Sequence, residues 1–375
     1  MKALFISNDP NIFDTTSAVR ARMRLYAKEI GELHIASVAR TGARAEQEEG
    51  LFLYPVHASR LFRVRAFTAL ARSIIAERGI EVVSAQDPFE HGLAALKATQ
   101  GTLAKLHIQV HTDFLSPWFI KRGNWRSPSV RMPFLNRYRL RLADRILPQA
   151  SGIRVVSERI KESLIAKYGK SIVDPVVIPA GMSSETPEPV RLPEHPHFTF
   201  ALIAVGRLEP EKRIEDILAA LKLVRAHYST VGLFIVGEGR ERKRLERMVR
   251  QLGLQNHVFF LGQRSDARGL MQSAHAFIQA SAYEGYGFTL IEAALAKVPI
   301  ITTDVGIVGE VFKGYEDVLS VPVADPTALS LSIVGILEDT RVRLELPLHA
   351  EATVLAHLGS VGNTPERIAE DLSRI

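Results

Sequence analysis

Short apolar runs alternate with longer stretches in which apolar residues recur every three or four positions. In the first half, KALFIS, ELHIASV, IEVVSA, LHIQV, DRILP, IRVVS and PVVIP read as strands, and residues 16–30, 60–78, 88–98 and 157–168 read as helices. Strands apolar throughout are buried on both faces, and the helices between them supply the cover, so the pattern predicts a parallel sheet. Residues 180–197, AGMSSETPEPVRLPEHPH, break it: Pro187, Pro189, Pro193 and Pro196 stand among polar residues and suit a linker. The alternation then restarts, with FTFALIAV, VGLFIV, HVFFL, HAFIQ and PIITT as strands and 213–227, 239–252, 265–272 and 288–297 as helices. In the first of these helices Ile214, Ile217, Leu218, Leu221 and Val224 fall on one stripe, the spacing of a helix packed on a sheet.

The pattern therefore predicts two doubly wound, Rossmann-like α/β domains, residues 1–180 and 198–345, joined by a linker over 181–197. Helices over 346–375 are expected to pack back on the first domain, the last beginning with Thr364 as cap and Pro365 in its first turn. Ligands of such sheets sit beyond the carboxyl ends of the strands. Two such domains facing each other define a cleft, and its chemistry is sought just after strands.

Composition narrows the choices. The 375 residues include no cysteine, which excludes disulfides, thiolate metal sites and cysteine nucleophiles and suits a reducing compartment. The opening MKALFIS is too short for a signal peptide and no later run reaches membrane-spanning length, so a cytoplasmic location is expected. Charge is divided unevenly: residues 1–180 carry +11 and the remainder −5. The excess concentrates over 118–145, where Lys121, Arg122, Arg126, Arg131, Arg137, Arg139, Arg141 and Arg145 face Asp144 alone, beside Trp118, Phe119, Trp125 and Phe134. Cations interleaved with aromatics suit an anionic membrane surface at the inner face of the cell membrane, against the alternative of a solvated helix face; no nucleic-acid motif accompanies them.

The stretch VGRLEPEKR (205–213) places Arg207 and Lys212 between a strand and a helix start, where cations and free backbone N–H groups together attract phosphate. The alternative is a solvated loop whose cations pair with Glu209 and Glu211. In FIVGEGRERKRLE, Gly237 and Gly239 partly match a dinucleotide fingerprint, but Arg242 fills the third small position, so the glycines are read as a tight turn. The loop after the first strand has no glycine either, and NAD is not expected.

SAYEGYGFTLIEAALAKVPIITT (281–303) carries Glu284 and Glu292 eight positions apart. Thr289 and Glu292 fit a capping box, whereas Glu284 lies in a loop whose Gly285 and Gly287 let backbone approach a ligand. Carboxylates do not bind phosphate but accept bonds from hydroxyls. A phosphate cradle with two hydroxyl acceptors describes a nucleotide-sugar site.

These segments resemble the retaining GT-B glycosyltransferases of family 4, the glycosyl transferases group 1 type. The likeness is carried by VGRLEPEKR, FIVGEGRERKRLE, VFFLGQ and SAYEGYGFTLIEAALAKVPIITTDVGIVGEV, with Glu284 and Glu292 the most specific part. The resemblance implies that Arg207 and Lys212 hold the donor diphosphate, Glu292 the ribose and Glu284 the sugar hydroxyls. Backbone N–H groups at Gly287, Phe288 and Thr289 complete the site it implies, and Gln263 and Arg264 lie by the base. VVSERIKESLIAKYG, VVIPAGM and QVHTDF are similar more loosely, the last making His111 a candidate facing the donor sugar. The chain departs from the family in SNDPNIFDTTSAVRARMR, which lacks a glycine pair near the acceptor, at Lys297, where glycine is common, and in GIVGEV, which has lost a glycine.

The resemblance further implies transfer from a UDP- or GDP-sugar to a hydroxyl of a glycan or lipid-linked acceptor with retention of configuration, as in cell-envelope polysaccharide synthesis. No protein nucleophile is needed and, without an Asp-x-Asp element, no metal or other cofactor is expected. The rival readings are a GT-B epimerase or phosphorylase, and an inert or regulatory protein docking through its basic lobe.

Overall fold

The computed structural model describes residues 1–39, 42–120, 133–179, 181–182, 188–193 and 198–375. Two compact units emerge. One comprises residues 1–115, 134–181 and 361–375, and the other residues 116–133 and 182–360. Much of the linker, and Lys121, Arg122, Trp125, Arg126 and Arg131 of the basic stretch, lie outside the described residues.

The first unit contains β1 (Lys2–Ser7), α1 (Ala18–Ile30), β2 (Glu32–Val38), β3 (Glu46–Glu48), β4 (Leu51–Val56), α2 (Arg63–Arg78), β5 (Val82–Ala85), α3 (Glu90–Thr99), β6 (Lys105–Val110), α4 (Pro133–Ile146), β7 (Gly152–Val155), α5 (Glu158–Tyr168) and β8 (Val176–Val177). Its sheet runs β3-β4-β2-β1-β5-β6-β7-β8 and is parallel except for the antiparallel edge pair β3–β4. Met23, Tyr26 and Ile30 of α1 pack on Phe5, Ile35 and Leu53.

The second unit contains β9 (Phe200–Val205), α6 (Ile214–Val224), β10 (Val231–Val236), α7 (Arg242–Gln251), β11 (Val258–Gly262), α8 (Ala267–Gln272), β12 (Ala276–Ile278), α9 (Phe288–Leu295), β13 (Ile300–Thr303), β14 (Leu319–Val321), α10 (Pro326–Glu338) and α11 (Thr340–Val361). All its pairings are parallel, in the order β11-β10-β9-β12-β13-β14. The apolar stripe of α6 buries Ile217, Leu218 and Leu221 completely against Leu233, Ile235 and Ile333. The final helix, α12 (Thr364–Ser373), belongs to the first unit, where Ile368 and Leu372 join the α1 core. No described helix is long and apolar enough to cross a membrane.

Several local expectations are corrected. DRILP is not a strand: Asp144–Ile146 close α4 and Leu147–Gln149 form a 3-10 turn. β4 is absent from the periodicity reading because Pro55 interrupts it, yet Leu51 and Leu53 bury one face while the strand pairs with β2. α10 also escapes that reading, although Asp325 accepts from Ala328 N at 2.9 Å with Pro326 in the first turn. Asn363, not Thr364, is the cap residue of α12; Thr364 lies inside the helix, its hydroxyl toward Pro179 O.

Lys297 follows α9 with φ of 54°, a left-handed conformation in which a β-carbon crowds the backbone. Its ammonium pairs with Glu351 at 3.1 Å, but the side chain is largely exposed and the pair contributes little. Lys297→Gly is expected to stabilise the protein by up to about 1 kcal/mol, seen as a higher urea midpoint at unchanged slope.

Candidate functional site

In the second unit the chain proceeds from β9 outward through β10 and β11, then crosses back to place β12 on the other side of β9. The loops leaving the carboxyl ends of β9 and β12 therefore diverge, which is where a doubly wound sheet opens a crevice. Those two loops carry Arg207, Lys212 and Glu284.

After β9, the chain turns through Gly206, forms a 3-10 turn over Pro210–Lys212 and enters α6 from Arg213 in a left-handed conformation. Arg213 is anchored by two bonds to Asp216, at 2.6 and 3.0 Å, and lies 5.4 Å from the Trp118 ring. The turn delivers the ammonium of Lys212 onto Glu284 Oε1, the same oxygen that accepts from Ser281 Oγ at 2.7 Å. Ala282 N donates to Glu211 O at 2.7 Å, tying the two loops through their backbones. Thr303 Oγ1 holds the Ser281 carbonyl at 2.7 Å. Lys212 and Glu284 are each about one-seventh exposed, so their pair is shielded from solvent screening.

Arg207 is different. Its side chain is 73% exposed and meets Glu211 at 3.2 Å, a contact of small energetic weight. Glu209 takes Arg240 instead. The alternative of a self-paired loop thus describes Arg207 with Glu211, while Lys212 reaches the carboxylate on the other loop.

Gly237 and Gly239 do more than turn the chain. A β-carbon on Gly237 would stand 1.9 Å from Gly206 O, and one on Gly239 2.3 Å from Leu208 O. Their lack of side chains lets the loop after β10 lie directly against the loop after β9, with Gly206 N on Val236 O and Leu208 N on Glu238 O, both at 2.9 Å. Arg242, in the third small position, spans Glu238 and Glu246 across the Phe260 ring.

The capping box is not formed. Gly287, with φ of 103°, precedes a helix that begins at Phe288, so Thr289 already lies in the first turn and donates to Gln279 Oε1 at 2.7 Å. Glu292 consequently sits past the capping position. Its carboxylate accepts no hydrogen bond from a described residue. Burial raises its pKa above the ordinary carboxyl value, and Arg268 offsets this only in part. Backbone N–H groups at 287, 288 and 289, at the start of α9, are beyond the reach of intrahelical acceptors.

Gln263 and Arg264 follow β11 on the exposed surface, the guanidinium held by Asp266 at 2.6 and 2.8 Å. His111 belongs to the first unit, one residue past β6, with Nε2 3.0 Å from Gln109 Oε1. Its pKa is lowered: desolvation disfavours the charged ring, and Arg154 and Arg22 add repulsion. His111 is exposed at the end of β6, where the nearby cationic charge keeps the ring neutral at physiological pH. Ser281, which shares Glu284 Oε1 with Lys212, was not among the sequence candidates. Its only signal is a hydroxyl three residues past β12 and three before Glu284.

Among the described residues no group of three acidic or histidine side chains is placed to hold a metal ion. A cavity of about 610 Å³ lies at the amino end of the first sheet, beside Met1, Ile80 and Lys105, and none of the candidate residues lines it.

Residues 193–351 match the family model for glycosyl transferases group 1, and residues 23–186 match that for Glycosyltransferase Family 4. A phosphatidyl-myo-inositol mannosyltransferase of Mycolicibacterium smegmatis is 30% identical over 177 residues, covering 45% of each chain. The chain spans between about a quarter and a half of the length of the curated relatives it matches. Among solved structures, sucrose-phosphate synthase from Thermosynechococcus elongatus superposes with a TM-score of 0.82 at 18% identity, over the whole of both chains. The Anabaena protein HepE in complex with UDP-glucose superposes with a TM-score of 0.73, also at 18% identity and over both whole chains. At that identity the likeness establishes the fold, two Rossmann-like α/β domains of the GT-B class.

Glu292 makes a pH-dependent prediction. With its folded-state pKa above the unfolded value, the folded protein holds the proton more tightly, and stability is lost as pH rises through the folded pKa. Glu292→Gln should therefore raise the urea midpoint near pH 8, with the gain shrinking toward about pH 4. A gain that instead grows on acidification would contradict the assignment.

Proposed function

From the premise that this chain joins a Glycosyltransferase Family 4 domain to a glycosyl transferases group 1 domain, we propose that it is a retaining, metal-independent glycosyltransferase using a nucleotide-sugar donor. The observation that carries the reading is the Lys212–Glu284–Ser281 contact at the point where the strand order of the second sheet reverses, with the half-buried carboxylate of Glu292 following in α9. The UDP and UDP-glucose bound by the Anabaena structures support a nucleotide-sugar as the ligand class.

In this reading the donor diphosphate takes over Lys212, with Arg207 swinging in from solvent, and the first turn of α9 supplies backbone N–H groups. Released from the ammonium, Glu284 accepts sugar hydroxyls while Ser281 keeps it oriented. Glu292 accepts from the ribose, which relieves the cost of a half-buried carboxylate that no described residue hydrogen-bonds. Gln263 and Arg264 flank the base, and His111 meets the sugar.

As the glycosidic bond breaks, negative charge grows on the leaving diphosphate, and cations already in place stabilise it without reorganisation. The departing phosphate oxygen takes the proton of the acceptor hydroxyl, and attack on the face the leaving group vacates retains configuration. The acceptor is a glycan or lipid-linked hydroxyl; the lipid acceptor named for the mycobacterial relative supports that class.

Two measurements test this. Calorimetry with UDP, GDP and ADP should find one nucleotide that binds, with affinity lowered roughly tenfold or more in Glu292→Ala. With the matching sugar donor, Lys212→Ala should lower kcat by about 10²–10³ while the protein remains folded. Failure of every nucleotide to bind the folded wild-type protein would overturn the reading.

A further inference from the structure

The first unit contains a buried polar ladder that the donor-site reading leaves unused. β5, β6 and β7 are adjacent and parallel, with Ser84 opposite His107 and Gln109 opposite Arg154. His107, Gln109 and His111 alternate along β6 and its exit, so they face the same side of the sheet. Ser84, His107, Gln109 and Arg154 are all buried, as is Asp371 on α12. Arg154 Nη1 donates to Gln109 Oε1 at 2.8 Å, and Gln109 Nε2 donates to Ser84 Oγ at 2.9 Å. Ser84 Oγ lies 2.8 Å from His107 Nδ1, and His107 Nε2 lies 3.1 Å from Asp371 Oδ2.

The donor and acceptor identities are forced along this chain. A guanidinium only donates, so the atom facing Arg154 is the Gln109 oxygen, and the Gln109 amide nitrogen points to Ser84. That oxygen only accepts, so the His111 nitrogen 3.0 Å from it carries the hydrogen. A neutral ring protonated on Nε2 has a bare Nδ1.

The remaining partners of Arg154 are the carbonyls of Ile178, at 2.9 Å, and Pro179. No described carboxylate pairs with it. Its hydrogen-bond partners are all neutral oxygens, and burial lowers its pKa even though the charge of Asp371 opposes that shift.

We propose that Gln109 and Arg154 are positioning residues that lock His111 as the Nε2–H tautomer, presenting Nδ1 as a hydrogen-bond acceptor. The group it meets must then donate a proton, as a sugar hydroxyl does; an ionised phosphate oxygen has none to give. The inference rests on the reading of His111 as a donor-sugar contact, and refines it from proximity to a stated polarity.

The test is nitrogen NMR of the histidine rings in the full chain without ligand, with His111→Ala to assign the signal. The wild type should show His111 with Nε2 protonated and Nδ1 bare. Gln109→Leu should abolish this single tautomer. Gln109→Glu, which keeps an acceptor toward both Arg154 and His111, should retain it, a distinction that loss of packing alone does not produce. A wild-type ring protonated on Nδ1, or a tautomer unchanged in Gln109→Leu, would overturn the proposal. Turnover separates the underlying reading: Gln109→Leu and His111→Ala should each lower kcat roughly tenfold to a hundredfold, with the double variant no worse than His111→Ala. Wild-type turnover in His111→Ala would remove the donor-sugar contact while leaving the tautomer result to stand.

Discussion

Neighbouring parallel strands cannot be joined by a hairpin; each connection must leave one end of the sheet and return to the other. In the second unit that constraint collects the loops after β9, β10, β11 and β12 at a single end, and the reversal of order between β9 and β12 parts two of them. Everything chemical in this unit follows from how that parting is bridged. The shielded contact between Lys212 and Glu284 spans it, backed by Ser281 and by the Ala282–Glu211 backbone bond. The glycines at 237 and 239 let a third loop support the Lys212 turn from behind.

The central strands of both sheets were legible because their runs are apolar on both faces, and α6 because its stripe is unbroken. Arg207, Lys212, Glu284 and Glu292 were legible as candidates because chemistry that recognises phosphate and hydroxyls needs those groups just after strands. What escaped was set by residues distant in sequence. The start of α9 depends on the left-handed Gly287, and the Thr289 hydroxyl is taken by Gln279 from the end of β12, so a local capping pattern misleads. β4 shows the same limit: Pro55 argues against a strand locally, while pairing with β2 and burial of Leu51 and Leu53 impose one.

Polar residues inside the strand runs carry a related lesson. LHIQVH and IRVVS read as strands, and their His107, Gln109 and Arg154 attract no notice beside so many apolar neighbours. Only register makes them a unit, because the two residues that face each other across β6 and β7 stand 45 positions apart in sequence. Lys297 is the converse case. Its departure from a common glycine is visible in the sequence, and the left-handed backbone supplies its physical meaning.

The division of the chain has a consequence for its synthesis. The first unit is completed by α12, which contributes Ile368 and Leu372 to its core and Asp371 to its buried polar face, yet residues 182–360 intervene. At ribosomal rates of about 5–20 residues per second, roughly 10–40 s separate the emergence of residue 181 from that of α12. During that interval the groove on α1 that receives Ile368 and Leu372 is open and His107 lacks its carboxylate. The domain that begins first is thus the one that finishes last, and the nascent chain must carry an unsealed apolar seam past the folding of its neighbour.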